Sequence, residues 1–564
     1  MIEHQMTTLG DLQAAVEDRL NQYEKDQIIA RLWAKDPGIW KADAHHQKII
    51  KNRLGWLDSI DWLETQADDL KQFQDTIKQA GFSHAVLCGM GGSSLAPEVL
   101  RQTFGGKSGW PAFFVLDSTD PEQVADIEKQ IDLQQTLFIV STKSGTTVET
   151  VSFYQYFFEK LKQIKGDRAG ENFVAITDAG TPLVQEGGRL GFRRVFINPS
   201  NVGGRFSVLS YFGMVPAAVI GVPIKEMIQR IKMEKEVSSA NQKIHDIPGA
   251  ILGVILGEAV KKGRDKLTIY VSEEIGSYGL WVEQLLAESL GKENKGIVPI
   301  FGENVTPHTL FGSDRLFVSL SCGKLDQALS RQLDELSEKG YPVVHIKLAD
   351  PLDLGRQFYR WAIATAIAGI TMEVDPFDEP NVQESKDRTV ALLKTLQQEK
   401  KFPKQEVQLT GKCFEASFSQ AALKGMKGKV NLTTFLSLLS KHDYIMLGAY
   451  LPYQASIEKK LNTIRLKLSA RSGCATMFGF GPRYLHSTGQ LHKGGANNCL
   501  IIQIVGKHQK QLQVPGQIYG FSELEYAQAL GDFQALDAKN RRAVQLRIEP
   551  SFLNGLNEIE KLLS

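Results

Sequence analysis

Between residues 84 and 208 short apolar runs alternate with longer amphipathic stretches. The runs at 85–88, 112–116, 136–140, 173–177 and 194–197 predict buried strands, and the loops between them carry Gly, Ser, Asp and Pro. Strands alternating with helices argue for a parallel sheet covered on both faces. A second series follows a helical stretch at 224–263, with strands at 267–271, 316–320 and 342–346 and helices at 281–290, 325–339, 355–370 and 382–396. Strands at 444–447 and 500–505 around a helix at 455–470 predict a smaller third unit that packs on the second. Residues 1–55 read as helical and peripheral. The expected fold class is α/β, with two doubly wound parallel-sheet domains (56–225 and 226–405), an N-terminal helical segment (1–55) and a C-terminal α/β extension (406–564). The stretch 397–407, with its lysines, reads as a solvated linker.

Two loops interrupt this pattern with chemistry. Gly89-Met90-Gly91-Gly92-Ser93-Ser94 follows the first strand, and Ser141-Thr142-Lys143-Ser144-Gly145-Thr146-Thr147 follows the third. Each opens a helix, whose N-terminus offers free N–H groups and a positive dipole end. Glycine lets the backbone approach a ligand, and the hydroxyls and Lys143 add donors and charge. The first loop alone could be a tight turn or a degraded dinucleotide fingerprint, with Ser94 where Gly or Ala belongs and Asp117 as a ribose acid. The second, with five hydroxyl residues and one lysine in seven positions, is more specific for a phosphate.

Glu288 lies at the edge of an apolar stripe formed by Trp281, Val282, Leu285 and Leu286, and Glu283 points to the opposite side. A carboxylate in that place is either an ordinary helix-edge residue or a partly desolvated general base. Lys386 follows a capping-box-like start at Asn381–Glu384 and shares the face of Val382, Thr389, Val390 and Leu393, whereas Arg388 faces away. It is a snorkelling lysine or a cation that awaits an anionic partner. Arg205, after Gly203-Gly204, could bind a sugar oxygen or an enediolate, or lie on the surface.

The motifs together resemble a known family. GGSS at 91–94 and TKSGTT at 142–147 are similar to sugar isomerase (SIS) domain motifs. VGGRFS at 202–207, AESLGK at 287–292 and DPFDEPNVQESK at 375–386 resemble phosphoglucose isomerases, in the family's order. RYLHSTGQLHKGG at 483–495 resembles the isomerase half of bifunctional transaldolase/phosphoglucose isomerases. The resemblance runs from about residue 32 onward and leaves no room for a transaldolase half. It implies two SIS-type domains and an aldose–ketose isomerase that interconverts glucose 6-phosphate and fructose 6-phosphate through a cis-enediol in glycolysis and gluconeogenesis. By the same resemblance Glu288 is the base, Lys386 aids ring opening and Arg205 stabilises the enediolate. Gly92, Ser93, Thr142, Lys143, Ser144, Thr146 and Thr147 hold the phosphate.

Two departures stand out. Glu379 precedes Pro380 where the family commonly has Gln, and no GTNGQHxF segment supplies the ring-opening histidine. His308 follows a proline in an unmatched context. His486 and His492, in the company of Gly, Thr, Gln and Lys, are the better candidates, and the loop-like setting of His492 favours it over His486. His45, His46, His245 and His508 read as partnerless.

Composition narrows the field. Among 564 residues, 65 basic and 64 acidic side chains give a net charge of +1, which argues against nucleic acid or an anionic membrane as partner. The expected partner is a small sugar phosphate, with homodimer assembly left open. Five cysteines without CxxC indicate neither disulfides nor zinc. No cofactor and no metal are expected. Without a basic, apolar leader or a spanning stretch, a cytoplasmic location is expected. Two rivals remain: a SIS-type sugar-phosphate regulator, which needs no inward Glu and Lys, and a nucleotide-binding dehydrogenase, which needs a full glycine fingerprint.

Overall fold

The computed structural model describes residues 5–303 and 311–563. The first series of apolar runs forms a five-stranded parallel sheet in the order Ala112–Leu116, His84–Gly89, Thr136–Ser141, Phe173–Asp178, Arg194–Asn198. Helices on both faces bury Thr136–Ser141 completely, which is why such strands read as continuous apolar runs. Gly89 lies opposite Ser141, so both hydroxyl-rich loops leave adjacent strands at the same carboxyl edge. That edge is where ligands bind in sheets of this kind.

The second sheet runs Val298–Phe301, Lys266–Val271, Arg315–Cys322, Val343–Leu348, with Gln5–Thr8 added antiparallel at the far edge. The N-terminal segment is therefore not peripheral. Its strand completes this sheet, and Leu12, Leu32, Ile50 and Leu54 enter one apolar core shared by the first two sheets. Val298–Phe301 escapes sequence reading because it is four residues long and contains Pro299.

The C-terminal part is larger than its sequence suggests. Its six-stranded sheet has the order Leu409–Thr410, Phe414–Phe418, Arg542–Ile548, Cys499–Gly506, Tyr444–Tyr450, Ala475–Phe480, and it packs its own core. It meets the first sheet's loops through Arg483, which donates to both oxygens of Asp117 at 2.7 and 2.9 Å. It meets the second through the Arg465 guanidinium on the Phe301 carbonyl. No helix among the described residues is long and apolar enough to cross a membrane.

Candidate active site

The loop 141–147 ends at the N-terminus of the helix Val148–Lys165, where Thr147 is the capping position but makes no side-chain cap bond. Its hydroxyl meets that of Thr142 at 2.9 Å, and the Ser144 and Thr146 hydroxyls meet at 3.0 Å. Ser144, Thr146 and Thr147 line a cavity of about 320 Å³. The helix amides are thus left to an anion there.

Lys386 and His486 form the facing wall of the same cavity. Lys386 belongs to the helix Pro380–Glu399 and makes no ion pair among the described residues. Arg388 is tied to Glu384 at 3.0 Å. The N-terminus of this helix is not capped as the sequence suggested. Glu379 caps nothing, and Asn381 instead exchanges bonds with Gln490 at 2.9 and 2.8 Å. His486 closes a short helical turn, Arg483–His486, and its Nε2 lies 2.8 Å from Oε1 of the buried Glu149. Gln528 donates to that same oxygen at 2.6 Å. Burial alone would raise the Glu149 carboxyl, but the His486 imidazole and, further off, Lys386 outweigh it and hold it below the usual range. Nδ1 of His486 has no protein partner among the described residues.

Glu288 stands behind this wall on the helix Tyr278–Leu290. Gln284, one turn earlier, donates to Glu288 Oε2 at 3.1 Å and to the His486 carbonyl at 3.0 Å, which ties Glu288 to the histidine segment. Arg205 is fully buried and spends all its donors. It reaches Ser289 Oγ at 2.7 Å, Glu288 Oε1 at 3.2 Å, Glu379 Oε2 at 3.0 Å, and the carbonyls of Pro376 and Asp378 at 2.7 and 2.9 Å. A buried guanidinium needs such a set, since an unpaired one is costly. Burial raises the Glu288 carboxyl above its ordinary value; Arg205 opposes the shift and Glu379 adds to it. Burial would also raise Glu379, but Arg205 prevails there and holds it low.

Several expected residues are placed elsewhere. The Lys143 ammonium is paired with Asp178 and donates to the Ser200 carbonyl at 2.8 Å, away from the cavity. Gly92 serves packing: a Cβ there would lie 2.1 Å from the Gly204 carbonyl oxygen. Gly91, at φ +56, would strike the His486 carbonyl oxygen at 2.6 Å, so this loop seats both the Arg205 and His486 segments. Ser93 is half-buried and does not line the cavity. His492 is buried with both nitrogens occupied, Nδ1 by the Tyr444 hydroxyl and Nε2 by the Thr488 hydroxyl, each at 3.0 Å. Burial pushes it down to about 3, which leaves it neutral at working pH. The preference between the two histidines therefore reverses. His308 lies outside the described residues. Glu283 does point away from Glu288, but into the interior, where it accepts the Phe301 amide and burial raises it to about 8.

Sequence reasoning passed over Glu149, Gln284 and Gln528. Glu149 sits two residues after the loop and Gln284 one helical turn before Glu288, so position alone marks the first two. Gln528 comes from the far end of the chain and leaves no local signal.

The phosphoglucose isomerase family model matches residues 58–300, a span that holds both loops, Arg205 and Glu288 but not Lys386 or His486. The probable glucose-6-phosphate isomerase of Methanococcus maripaludis is 27% identical over 381 residues, 60% of this chain and 84% of that one. The glucose-6-phosphate isomerase of Methanocaldococcus jannaschii is 28% identical over 352 residues, 56% and 85% of the two chains. Among solved structures, a hypothetical protein from Thermus thermophilus matches with a TM-score of 0.56 at 25% identity, over 68% of this chain and 99% of that one. A glucose-6-phosphate isomerase from Chlamydia trachomatis shares the fold with a TM-score of 0.51 at 21% identity, over 67% and 79%. The chain is thus similar to phosphoglucose isomerases over residues 58–300 and to glucose-6-phosphate isomerases over about 60% of its length.

Proposed function

We propose that the protein interconverts glucose 6-phosphate and fructose 6-phosphate, with the cleft between the 141–147 loop and the helix Pro380–Glu399 as its substrate site. The observation that carries the reading is the cavity itself, in which helix-terminal hydroxyls face Lys386 and His486, with Glu288 one side chain behind. Ser144, Thr146 and Thr147 hold the phosphate dianion, and Thr142 supports that loop through its hydroxyl contact with Thr147. His486 moves the proton between the ring oxygen and O1, oriented by Glu149 as a carboxylate orients a catalytic imidazole. Lys386 neutralises the charge that develops as the ring opens. Glu288 transfers the proton between C2 and C1, and Arg205 stabilises the enediolate by electrostatics. Every residue assigned comes from one chain, so the reading requires no second copy.

A coupled assay with fructose 6-phosphate tests the whole reading. Turnover is expected, whereas a SIS-type regulator would bind the sugar phosphate without converting it. Thr147→Ala should raise KM by the loss of one hydrogen bond to a charged group, about 1.5–3 kcal/mol, with kcat little changed. An unchanged KM would remove this loop from the site. Lys386→Ala should lower activity on the cyclic sugar, and Arg388→Ala should not. Steady-state rates of the two variants decide, and full activity of Lys386→Ala defeats its assignment.

A further inference from the structure

Far from Glu288 along the chain, a second polar cluster joins the first sheet to the C-terminal part. Asp120 caps the helix Pro121–Gln130 with Oδ1, which accepts the Glu122 and Gln123 amides at 2.8 and 2.9 Å. Its other oxygen, Oδ2, is buried and has no hydrogen-bond partner among the described residues. His508, just after the strand Cys499–Gly506, lies 3.5 Å from that oxygen through Nε2, and its Nδ1 lies 3.6 Å from Glu122 Oε1. Nδ1 is also buried and without a hydrogen bond among the described residues. The ring is 3% exposed, so His508 is not the partnerless residue that the sequence suggested. Its Nε2 is instead held at 2.6 Å by Oε2 of Glu525, from the helix Phe521–Ala538.

This arrangement has the features of a metal site. Among the described residues, one imidazole nitrogen, Nδ1, and one carboxylate oxygen, Asp120 Oδ2, are buried and bare, and Glu122 faces Nδ1 as a third ligand. The ligand atoms of Asp120, Glu122 and His508 all lie within 4.8 Å of one another. A ligating histidine characteristically gives its other ring nitrogen to a carboxylate, the place that Glu525 fills. Three carboxylates face one imidazole, and no Lys or Arg among the described residues bonds to any of them. The positive end of the helix Pro121–Gln130 opposes a cation, but its half charge is small beside three carboxylates. Glu122 is 31% exposed at the rim and leaves a path from solvent. We propose that Asp120, Glu122 and His508 bind a divalent transition-metal ion of the Zn²⁺ class, with Glu525 as the outer carboxylate that orients His508.

An imidazole with two carboxylates suits Zn²⁺ and disfavours Mg²⁺, whose ligands are all oxygen. The ion would clasp the first unit to the helix that carries Gln528, the donor to Glu149, and so brace the histidine wall from behind. It takes no part in the isomerisation.

Calorimetric titration of the full-length, metal-stripped protein with Zn²⁺ tests the site. The wild type should bind one equivalent that Mg²⁺ does not displace, with a higher Tm in its presence. Asp120→Asn and His508→Gln should abolish that equivalent and the Tm response, with isomerase activity retained. Should either fail to fold, Glu122→Gln at the rim keeps the test alive, since it too should weaken binding. Glu525→Gln should weaken affinity about 10–100-fold, the usual cost of an outer-shell partner, and a mere packing role would not move it. No saturable binding to wild type overturns the proposal. So does binding that survives both Asp120→Asn and His508→Gln, or that disappears only when the half-buried His46, paired with Asp43, is replaced.

Discussion

A Glu288→Gln variant keeps its fold and its affinity for fructose 6-phosphate and loses turnover by about 10²–10⁴-fold, the range of general-base catalysis. The amide carbonyl can still accept the 3.2 Å bond from Arg205, so the buried guanidinium keeps its partners and the helix keeps its packing. What disappears is the lone pair that accepts the C2 proton in the proposed reaction, so exchange of that hydrogen with solvent should stop as well. Glu288 also carries a pH signature. Burial sets Glu288 above its ordinary value, with Arg205 against the shift and Glu379 for it. The acid limb of kcat/KM should therefore lie above the ordinary glutamate pKa of about 4.3. Glu379→Gln takes one negative charge from the neighbourhood, which favours ionised Glu288 and moves that limb to lower pH. Rate profiles over pH, with isotope exchange at C2, measure both effects. Wild-type turnover in Glu288→Gln, or a larger loss in Glu283→Gln, would place the base elsewhere.

The parts of the site that the sequence announces are the ones built from neighbours along the chain. The hydroxyl loop is legible because its chemistry lies within seven residues and the register Gly89 to Ser141 then sets it beside its companion. The phase of Glu288 against Glu283 is legible because a helix fixes its own faces. Lys143 misleads, since its type and place fit a phosphate and only folding brings Asp178 and Ser200 to take its charge. Glu379 shows the same limit. The departure from Gln is plain in the sequence, but that two carboxylates share one nitrogen of Arg205 follows from contacts more than eighty residues apart. In the fold, long apolar runs are found from pattern, whereas Val298–Phe301 and Gln5–Thr8 become strands only because a sheet edge is there to receive them. The size of the C-terminal part is hidden for a similar reason. Its strands Phe414–Phe418 and Ala475–Phe480 mix polar residues or glycine into short runs, and Gly479 is there because the Tyr484 side chain lies 3.0 Å from where its Cβ would be.

The two histidines of the HSTGQLHKGG segment should separate cleanly, because they differ in what surrounds them rather than in sequence context. His486→Ala should lose activity on the cyclic sugar by about 10²–10⁴-fold, the worth of a placed acid–base group, and retain C2 proton exchange on an open-chain analogue. Its ring lines the cavity, Glu149 fixes its Nε2 at 2.8 Å, and Nδ1 is free to meet the sugar. Glu149→Gln should give a smaller defect of the same kind, since it removes the orienting charge and leaves the imidazole. His492→Ala should instead reduce stability. It empties a buried site and takes one hydrogen-bond partner from each of the Tyr444 and Thr488 hydroxyls, at about 0.5–1.5 kcal/mol per bond. Its kcat at a temperature where it stays folded should match the wild type. The segment break at Ser487, between the turn Arg483–His486 and the helix Gly489–Gly494, is what turns one histidine to the cleft and the other to the core. Thermal melts beside assays on both substrate forms decide the matter. A ring-opening defect in His492→Ala with an unchanged Tm would contradict the assignment, and the same pattern in His308→Ala alone would move the role out of this segment altogether.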